Sequence, residues 1–377
     1  MNGTGLKILH LLYESRGDSF GIGGVGIMAY EIYRRLKDRH DITLLCKRYP
    51  GARDGMIEGL THRYLGAESG SFMRTLLSYA RESARFVRTR GVEYDIIIEE
   101  FSPALPRFLG RFRERPVVLQ IQGYTGKQYF GKYHIIQAGV LYGLERILPR
   151  SYRNVIVVSE MTRRRYHLDG GARNVVVIPN GIGPELLVQE PGESDYVLYI
   201  GRIDIHHKGL DLLLDAYADF VRTFPWIRLV IAGDGRDRER FSDALGRLPR
   251  AVREKIELKG WTEGEEKALL LKDALIVVVP SRYETQGIVA LEAMACGKPV
   301  VASDIPELWY IQEAGAGIVF EAGNALSLAS AVKDLASRVD RRAMGERGRT
   351  WVRELTWDRI ALRYEDFLSD VVERQKR

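Results

Sequence analysis

The 377-residue sequence has only two cysteines, seven histidines and no long uninterrupted apolar run. Cys46 and Cys296 belong to neither a Cys-x-x-Cys pair nor a Cys/His cluster. That argues against a zinc ribbon or a disulfide framework, and two reduced core thiols are expected. No segment approaches the roughly 18 apolar residues of a membrane-crossing helix. The stretch Lys7-Ile8-Leu9-His10-Leu11-Leu12-Tyr13 is too short and too polar for the apolar centre of a signal peptide. A cytoplasmic protein is the expectation.

Apolar residues make up 45% of the chain and charged residues 28%, a globular balance. The length calls for two domains. Net charge is +6, unevenly spread. Residues 1–185 carry 28 Lys+Arg against 18 Asp+Glu, or +10, and residues 186–377 carry 28 against 32, or −4. The basic half suits an anionic partner, a lipid surface among them, or simply a solvated basic face.

Short apolar runs alternate with helical patterns throughout, as in parallel sheets built from βαβ units. Strands are expected at 6–13, 41–46, 94–99, 116–122, 154–158 and 174–179, and again at 195–201, 226–232, 255–259, 274–279, 298–302 and 317–320. Val25, Met28, Ala29, Ile32 and Leu36 recur at helical spacing after the first strand. Pro179-Asn180-Gly181-Ile182-Gly183-Pro184 separates the two series and reads as a linker. Residues 324–374 read as helix only. The expected class is α/β: two doubly wound parallel-sheet domains, 1–182 and 183–355, and a helical tail from 356 to 377. Ligands should bind at the carboxyl ends of the strands, in a cleft between the domains.

The most informative stretch runs from Pro280 through Glu284, Gly287 and Glu292 to Ala295. It follows a buried strand and opens a helix near Gln286. Free amides at Gly287, Ile288 and Val289 can hold a phosphate, and Gly287 has no side chain to obstruct it. Glu292, eight residues after Glu284, can accept both hydroxyls of a ribose, and Glu284 can accept from sugar hydroxyls. The same residues also suit a surface cap at Glu284 and a buried salt bridge at Glu292. Arg202, after the strand 195–201, and Lys208, before Gly209, sit at strand-to-helix turns where they can neutralise a departing diphosphate. Two solvated basic residues would look no different.

Gly201-Arg202, Lys208-Gly209, Gly233-Asp234-Gly235, and Glu284 through Glu292 followed by Ala-Met-Ala-Cys-Gly-Lys-Pro-Val-Val-Ala resemble glycosyltransferase family 4, which is retaining and has the GT-B fold. The resemblance covers nearly the whole chain. It implies a nucleotide-sugar donor, carrying UDP or GDP, held mainly by the second domain. A saccharide or lipid-linked acceptor would be held mainly by the first, and a last helix would cross back onto that domain. Carried over, Arg202 and Lys208 bind the diphosphate, Glu284 the donor sugar and Glu292 the ribose. No Asp-x-Asp, the usual metal-holding element of the other main glycosyltransferase fold, occurs in the sequence. That agrees with an enzyme needing no metal and no cofactor. Another enzyme on this fold, such as an epimerase or a phosphorylase, and a non-catalytic nucleotide-sugar binding protein are the competing readings.

In the first half, Gly21-Ile22-Gly23-Gly24-Val25-Gly26 fits a dinucleotide fingerprint only formally. It lies several residues beyond its strand, and the second strand ends in Cys46-Lys47, not an acid. The family reading makes Gly23 and Gly24 a loop over the donor phosphates. Where the family often places a His, this chain has Gln122, an acceptor-side candidate that can hydrogen-bond but not exchange protons.

Segment 72–90 has Phe72, Met73, Leu76, Leu77, Ala80, Ala84 and Val87 on one side and Arg74, Arg81, Arg85 and Arg88 elsewhere. This suits a helix lying on an anionic bilayer or one packing on its own sheet. Arg107 to Arg113 repeats the mixture. No nucleic-acid module is present. The localisation implied is cytoplasmic, including the cytoplasmic membrane face.

Overall fold

The computed structural model describes residues 5–14, 23–68, 72–168 and 173–377. The chain divides into two compact units, Met1–Asn180 with Trp357–Arg377, and Gly181–Thr356. Gly21 and Ile22, and the side chains of Phe72 and Met73, lie outside the described set.

The first unit carries β1 (Lys7–Leu11), β2 (Asp41–Lys47), β3 (Gly55–Ile57), β4 (Leu60–Leu65), β5 (Ile96–Glu100), β6 (Val117–Ile121), β7 (Asn154–Val157) and β8 (Asn174–Val177). Their order is β3-β4-β2-β1-β5-β6-β7-β8, parallel except for the antiparallel β3–β4 pair. Its principal helices are α1 (Gly24–Leu36), α2 (Phe72–Arg90) and α3 (Ile135–Ile147). The second unit carries β9 (Tyr196–Ile200), β10 (Arg228–Ala232), β11 (Ile256–Gly260), β12 (Ile276–Val279), β13 (Val300–Ser303) and β14 (Gly317–Phe320). These run parallel in the order β11-β10-β9-β12-β13-β14. Around them lie α4 (Leu210–Thr223), α5 (Gly264–Asp273), α6 (Ile288–Ala295), α7 (Ala325–Ser337) and α8 (Arg341–Val352). The last helix, α9 (Trp357–Lys376), belongs to the first unit. It buries Trp357, Ile360, Tyr364, Leu368 and Val371 in that unit's core.

One feature departs from the expectations, and one of two open alternatives is decided. The hairpin β3–β4 was not foreseen. Glu58 and Gly59 form its two-residue turn, both with φ near the left-handed region (53° and 83°), the geometry whose twist matches paired strands. On β4 the buried positions are Leu60, His62 and Tyr64, so a histidine interrupts the apolar alternation. His62 is satisfied by Tyr30 Oη at 2.9 Å and the Leu60 carbonyl at 3.0 Å. The alternative decided is that for α2, which packs on its own sheet. Leu76, Tyr79, Ala80, Ala84 and Val87 are buried, leaving Leu77 exposed among the arginines. Its apolar side therefore serves the core and is not available to a bilayer. Arg107 is buried too, with Nε donating to Ser83 Oγ at 3.0 Å and Nη1 3.4 Å from Glu99 Oε1.

At the strand-order reversal of the first sheet, β1 and β5 bring His10 and Glu100 together, with Nε2 3.3 Å from Oε1. Burial, aided by the Arg107 charge, pushes the imidazole down to about 3. Burial and the Glu14 charge push the Glu100 carboxyl well above its usual range, Arg107 opposing. Both shifts run toward the neutral forms. Gln120 Nε2 donates to Glu100 Oε1 at 2.6 Å, and Tyr364 Oη of α9 donates to Gln120 Oε1 at 2.7 Å. This chain fixes the rotation of α9 against the sheet. Tyr364→Phe should cost about 1–3 kcal/mol by urea unfolding, the penalty of a buried acceptor left unpaired. A change below about 0.5 kcal/mol would show that the bond fixes nothing.

Candidate active site

In the second sheet the strand order reverses between β9 and β12, the position at whose carboxyl edge parallel sheets commonly bind ligands. After β9 the backbone passes through Gly201 at φ 153°, whose amide donates to the Ala232 carbonyl at 2.9 Å. A Cβ on Gly233, at φ 157°, would run into the Gly201 carbonyl. These two glycines let neighbouring strand ends stack backbone on backbone.

Asp204 caps the short helix Ile205–Lys208, its side chain accepting from the His207 amide at 3.1 Å. Gly209 ends that helix at φ 66°, and a Cβ there would collide with the Pro280 carbonyl. The β9 and β12 loops therefore touch through their main chains. Arg282 fastens them further: its two terminal nitrogens donate to Asp211 Oδ1 and Oδ2 at 2.8 and 2.7 Å, and its amide donates to the His207 carbonyl at 3.0 Å.

The consequence is an ion pair between residues 76 apart in sequence. Lys208 Nζ lies 2.6 Å from Glu284 Oε1, and Ser281 Oγ donates to the same oxygen at 2.8 Å. Both charged side chains are largely buried. Burial alone would push the Glu284 carboxyl up. The Lys208 charge and the hydrogen bonds from Lys208 and Ser281 outweigh it and hold the carboxyl below its usual range. Glu284 is thus an anion with lone pairs left to accept from hydroxyls.

Gly287 N-caps α6 at φ 70°, and a Cβ would meet Leu308 Cδ2 at 2.5 Å. The helix starts at Ile288, two residues later than the sequence suggested. Tyr310 Oη donates to the carbonyls of Gln286 and Gly287 at 2.7 and 3.0 Å, pinning the turn. The first amides of α6 precede its first intrahelical bond, made by Ala290 to the Gly287 carbonyl at 2.9 Å, and the Ile288 and Val289 amides have no acceptor among the described residues. Further along, Glu292 pairs with Lys267 of α5, Nζ lying 2.7 Å from Oε1 and 2.6 Å from Oε2. Arg202 is exposed, and its carbonyl accepts from Tyr199 Oη at 2.7 Å. Its guanidinium makes no hydrogen bond or ion pair among the described residues.

Six expected residues, Arg202, Lys208, Glu284, Gly287, Ile288 and Val289, thus lie on the β9 and β12 loops and the helix opening from the second, with Glu292 a turn beyond. Gly23, Gly24 and Gln122 belong to the first unit. The Gly23 and Gly26 amides both donate to Glu14 Oε2 at 2.8 Å, so a carboxylate of this chain occupies the N-terminus of α1. Gln122 is buried, and Nε2 donates to Met28 Sδ at 2.8 Å. Sequence reasoning missed Ser281, Lys267 and Glu14. Ser281 stands three residues before Glu284 and could have been noticed, whereas Lys267 and Glu14 carry no local signal.

Comparison with known proteins agrees with this geometry. Residues 22–186 match the profile described as Glycosyltransferase Family 4, and residues 188–351 that of Glycosyl transferases group 1. A phosphatidyl-myo-inositol mannosyltransferase of Mycobacterium leprae is 30% identical over 272 residues, covering 70% of this chain and 69% of that protein. Among solved structures, a sucrose-phosphate synthase of Thermosynechococcus elongatus superposes with a TM-score of 0.78 at 22% identity, over 98% of this chain and 100% of that one. The Anabaena protein HepE, solved in complex with UDP, does so with 0.74 at 18%, over 97% and 100%.

Lys208→Met strips Glu284 of its counter-charge and lets burial raise its carboxyl. A raised carboxyl stabilises the fold below its unfolded pKa and loses that contribution as pH rises. The variant's deficit should therefore be small near pH 4 and grow to about 3–5 kcal/mol near pH 7, followed by urea unfolding. Adding Glu284→Gln should recover most of it. A deficit independent of pH would dissolve the pairing.

Proposed function

The chain belongs to glycosyltransferase family 4, and from that membership we propose a retaining, metal-independent transfer of a sugar from a nucleotide diphosphate donor, UDP- or GDP-linked, to a saccharide or lipid-linked acceptor. The observation that carries the reading is the Lys208–Glu284 pair, 2.6 Å apart, which joins the β9 loop to the loop that leads into the N-terminus of α6. The donor diphosphate lies against the amides of Gly287, Ile288 and Val289, where helix dipole and free N–H groups favour an anion. Arg202 and Lys208 take up the charge that appears on the diphosphate as the glycosidic bond breaks, which is the work a divalent metal would otherwise do. Glu284, kept ionised by Lys208, accepts from hydroxyls of the transferred sugar. Glu292 accepts from the ribose, sharing its charge with Lys267.

In this reading the second unit binds the donor and the first the acceptor, with Gln122 on the acceptor side. The mannosyltransferase named above acts on a phosphatidylinositol and HepE was solved with UDP, which supports a lipid-linked acceptor and a nucleotide diphosphate. Peripheral attachment to an anionic membrane face belongs to the same reading, drawn from the +10 balance of residues 1–185.

Arg202→Ala should lower turnover about 10²–10³-fold with little effect on unfolding, the usual loss for one transition-state donor. Transfer should persist after chelation of divalent ions, and nuclear magnetic resonance should show retained anomeric configuration. Near-parental turnover of Arg202→Ala removes the clamp, and inverted product removes the retaining assignment.

The two glutamates should separate by ligand. Glu292→Gln should weaken binding of the free nucleotide diphosphate by calorimetry, because the ribose is common to it and the donor. Glu284→Gln should leave that binding intact and depress transfer. The opposite pattern would reverse the orientation of the donor along α6.

A further inference from the structure

The helix α3 is built inside out. Its buried face is Ala138 and Glu145, seven residues apart, both nearly inaccessible. The Glu145 carboxylate is consumed there, accepting from the amides of Thr125 at 2.8 Å and Gly126 at 2.7 Å and from Tyr166 Oη at 3.3 Å. At 100° per residue the opposite side is the line Ile136, Val140, Gly143, Ile147. Ile136, Val140 and Ile147 are 72%, 56% and 66% exposed, and the neighbouring Ile135 is 69% exposed. Phe130, exposed on the short helix Tyr129–Lys132, lies edge-on to Tyr142 at 5.9 Å, toward the inner side of α3 and apart from the stripe. Isolated apolar residues on a surface are ordinary, but a contiguous stripe opposite a helix's own buried face is not.

The charge around the stripe identifies what covers it. Residues 123–153 contain one acid, Glu145, which is buried, and five Lys or Arg. Lys127, Arg146, Arg150 and Arg153 are exposed. A second copy of the same face would bring these cations together, whereas anionic lipid headgroups would neutralise them. Thirteen residues reach only about 20 Å, too short to cross a bilayer. A helix of this length with an apolar stripe and a basic rim lies in the interfacial plane.

We propose that α3 is the membrane-docking element, its Ile136–Val140–Ile147 stripe entering an anionic bilayer surface while Lys127, Arg146 and Arg150 meet the headgroups. The proposal deepens the peripheral-membrane part of the functional reading and rests on it. It moves the contact from α2, whose apolar side is buried, to α3.

The test is sedimentation of the full chain with vesicles of phosphatidylglycerol and phosphatidylcholine, without donor, so that it succeeds or fails apart from the transfer chemistry. Binding should be strong at low salt and weaken as the screening length falls from about 10 Å at 0.1 M to about 3 Å at 1 M. Pure phosphatidylcholine should bind far less. Ile136→Asp with Val140→Asp should cut partitioning about tenfold or more while circular dichroism and donor hydrolysis in solution stay unchanged. Arg146→Gln with Arg150→Gln should chiefly lose the salt-sensitive part. Absence of vesicle binding at low salt overturns the proposal, as does binding that ignores the aspartates. So does a concentration-dependent dimer that the aspartate variant abolishes, which would make a second copy the occupant.

Discussion

Parallel strands cannot be joined by a tight hairpin; the chain must cross back over the sheet before the next strand can start. Every loop that leaves a carboxyl end is then followed by a return segment, usually a helix whose N-terminus faces the same edge. In the second unit this constraint alone delivers free helix amides, two loop cations and a loop carboxylate to one edge of six parallel strands. What the constraint does not supply is closeness. That comes from the glycines: Gly233 against the Gly201 carbonyl and Gly209 against the Pro280 carbonyl remove the Cβ atoms that would hold neighbouring loops apart.

Each unit also buries charge-bearing groups at its reversal, and handles them differently. In the second, Lys208 and Glu284 face one another and the carboxyl is held below its usual range, with Ser281 adding a hydrogen bond to the same oxygen. Such pairs give little net stability, since desolvation offsets their attraction. Their use is to keep a carboxylate ionised and aimed. In the first unit His10 and Glu100 lie farther apart, at 3.3 Å, burial disfavours the charged form of each, and the hydrogen bonds run on through Gln120 to Tyr364. One network holds an ionised carboxylate at the sheet's carboxyl edge, and the other sets the seating of α9.

The parallel strands were legible because a strand buried on both faces reads as an unbroken apolar run, as in Ile276–Val279 and Val117–Ile121. The hairpin β3–β4 escaped because β4 alternates, with His62 at a buried position, and Glu58-Gly59 is a weaker turn signal than Asn-Gly. The motif residues Glu284, Gly287 and Glu292 were legible because their spacing is local to one loop and helix. Lys267, 25 residues from Glu292, and Glu14, which takes up the Gly23 amide, were not. Their contacts exist only once helices are placed side by side.

Amphipathic periodicity has a deeper ambiguity, and α2 and α3 expose it. A helical pattern says that apolar residues share a face; it does not say whether that face meets protein or something else. The apolar stripe of α2 is the ordinary case, because sheet strands lie beneath it. On α3 the glutamate occupies the inner position instead, since two main-chain amides at Thr125 and Gly126 need an acceptor that no strand provides. Once Glu145 is fixed inward, helical geometry turns Ile136, Val140 and Ile147 outward, and burial of this one acid also strips the surrounding surface of negative charge. A single buried hydrogen-bond acceptor thereby sets both halves of the surface, its apolar stripe and its uncompensated basic rim.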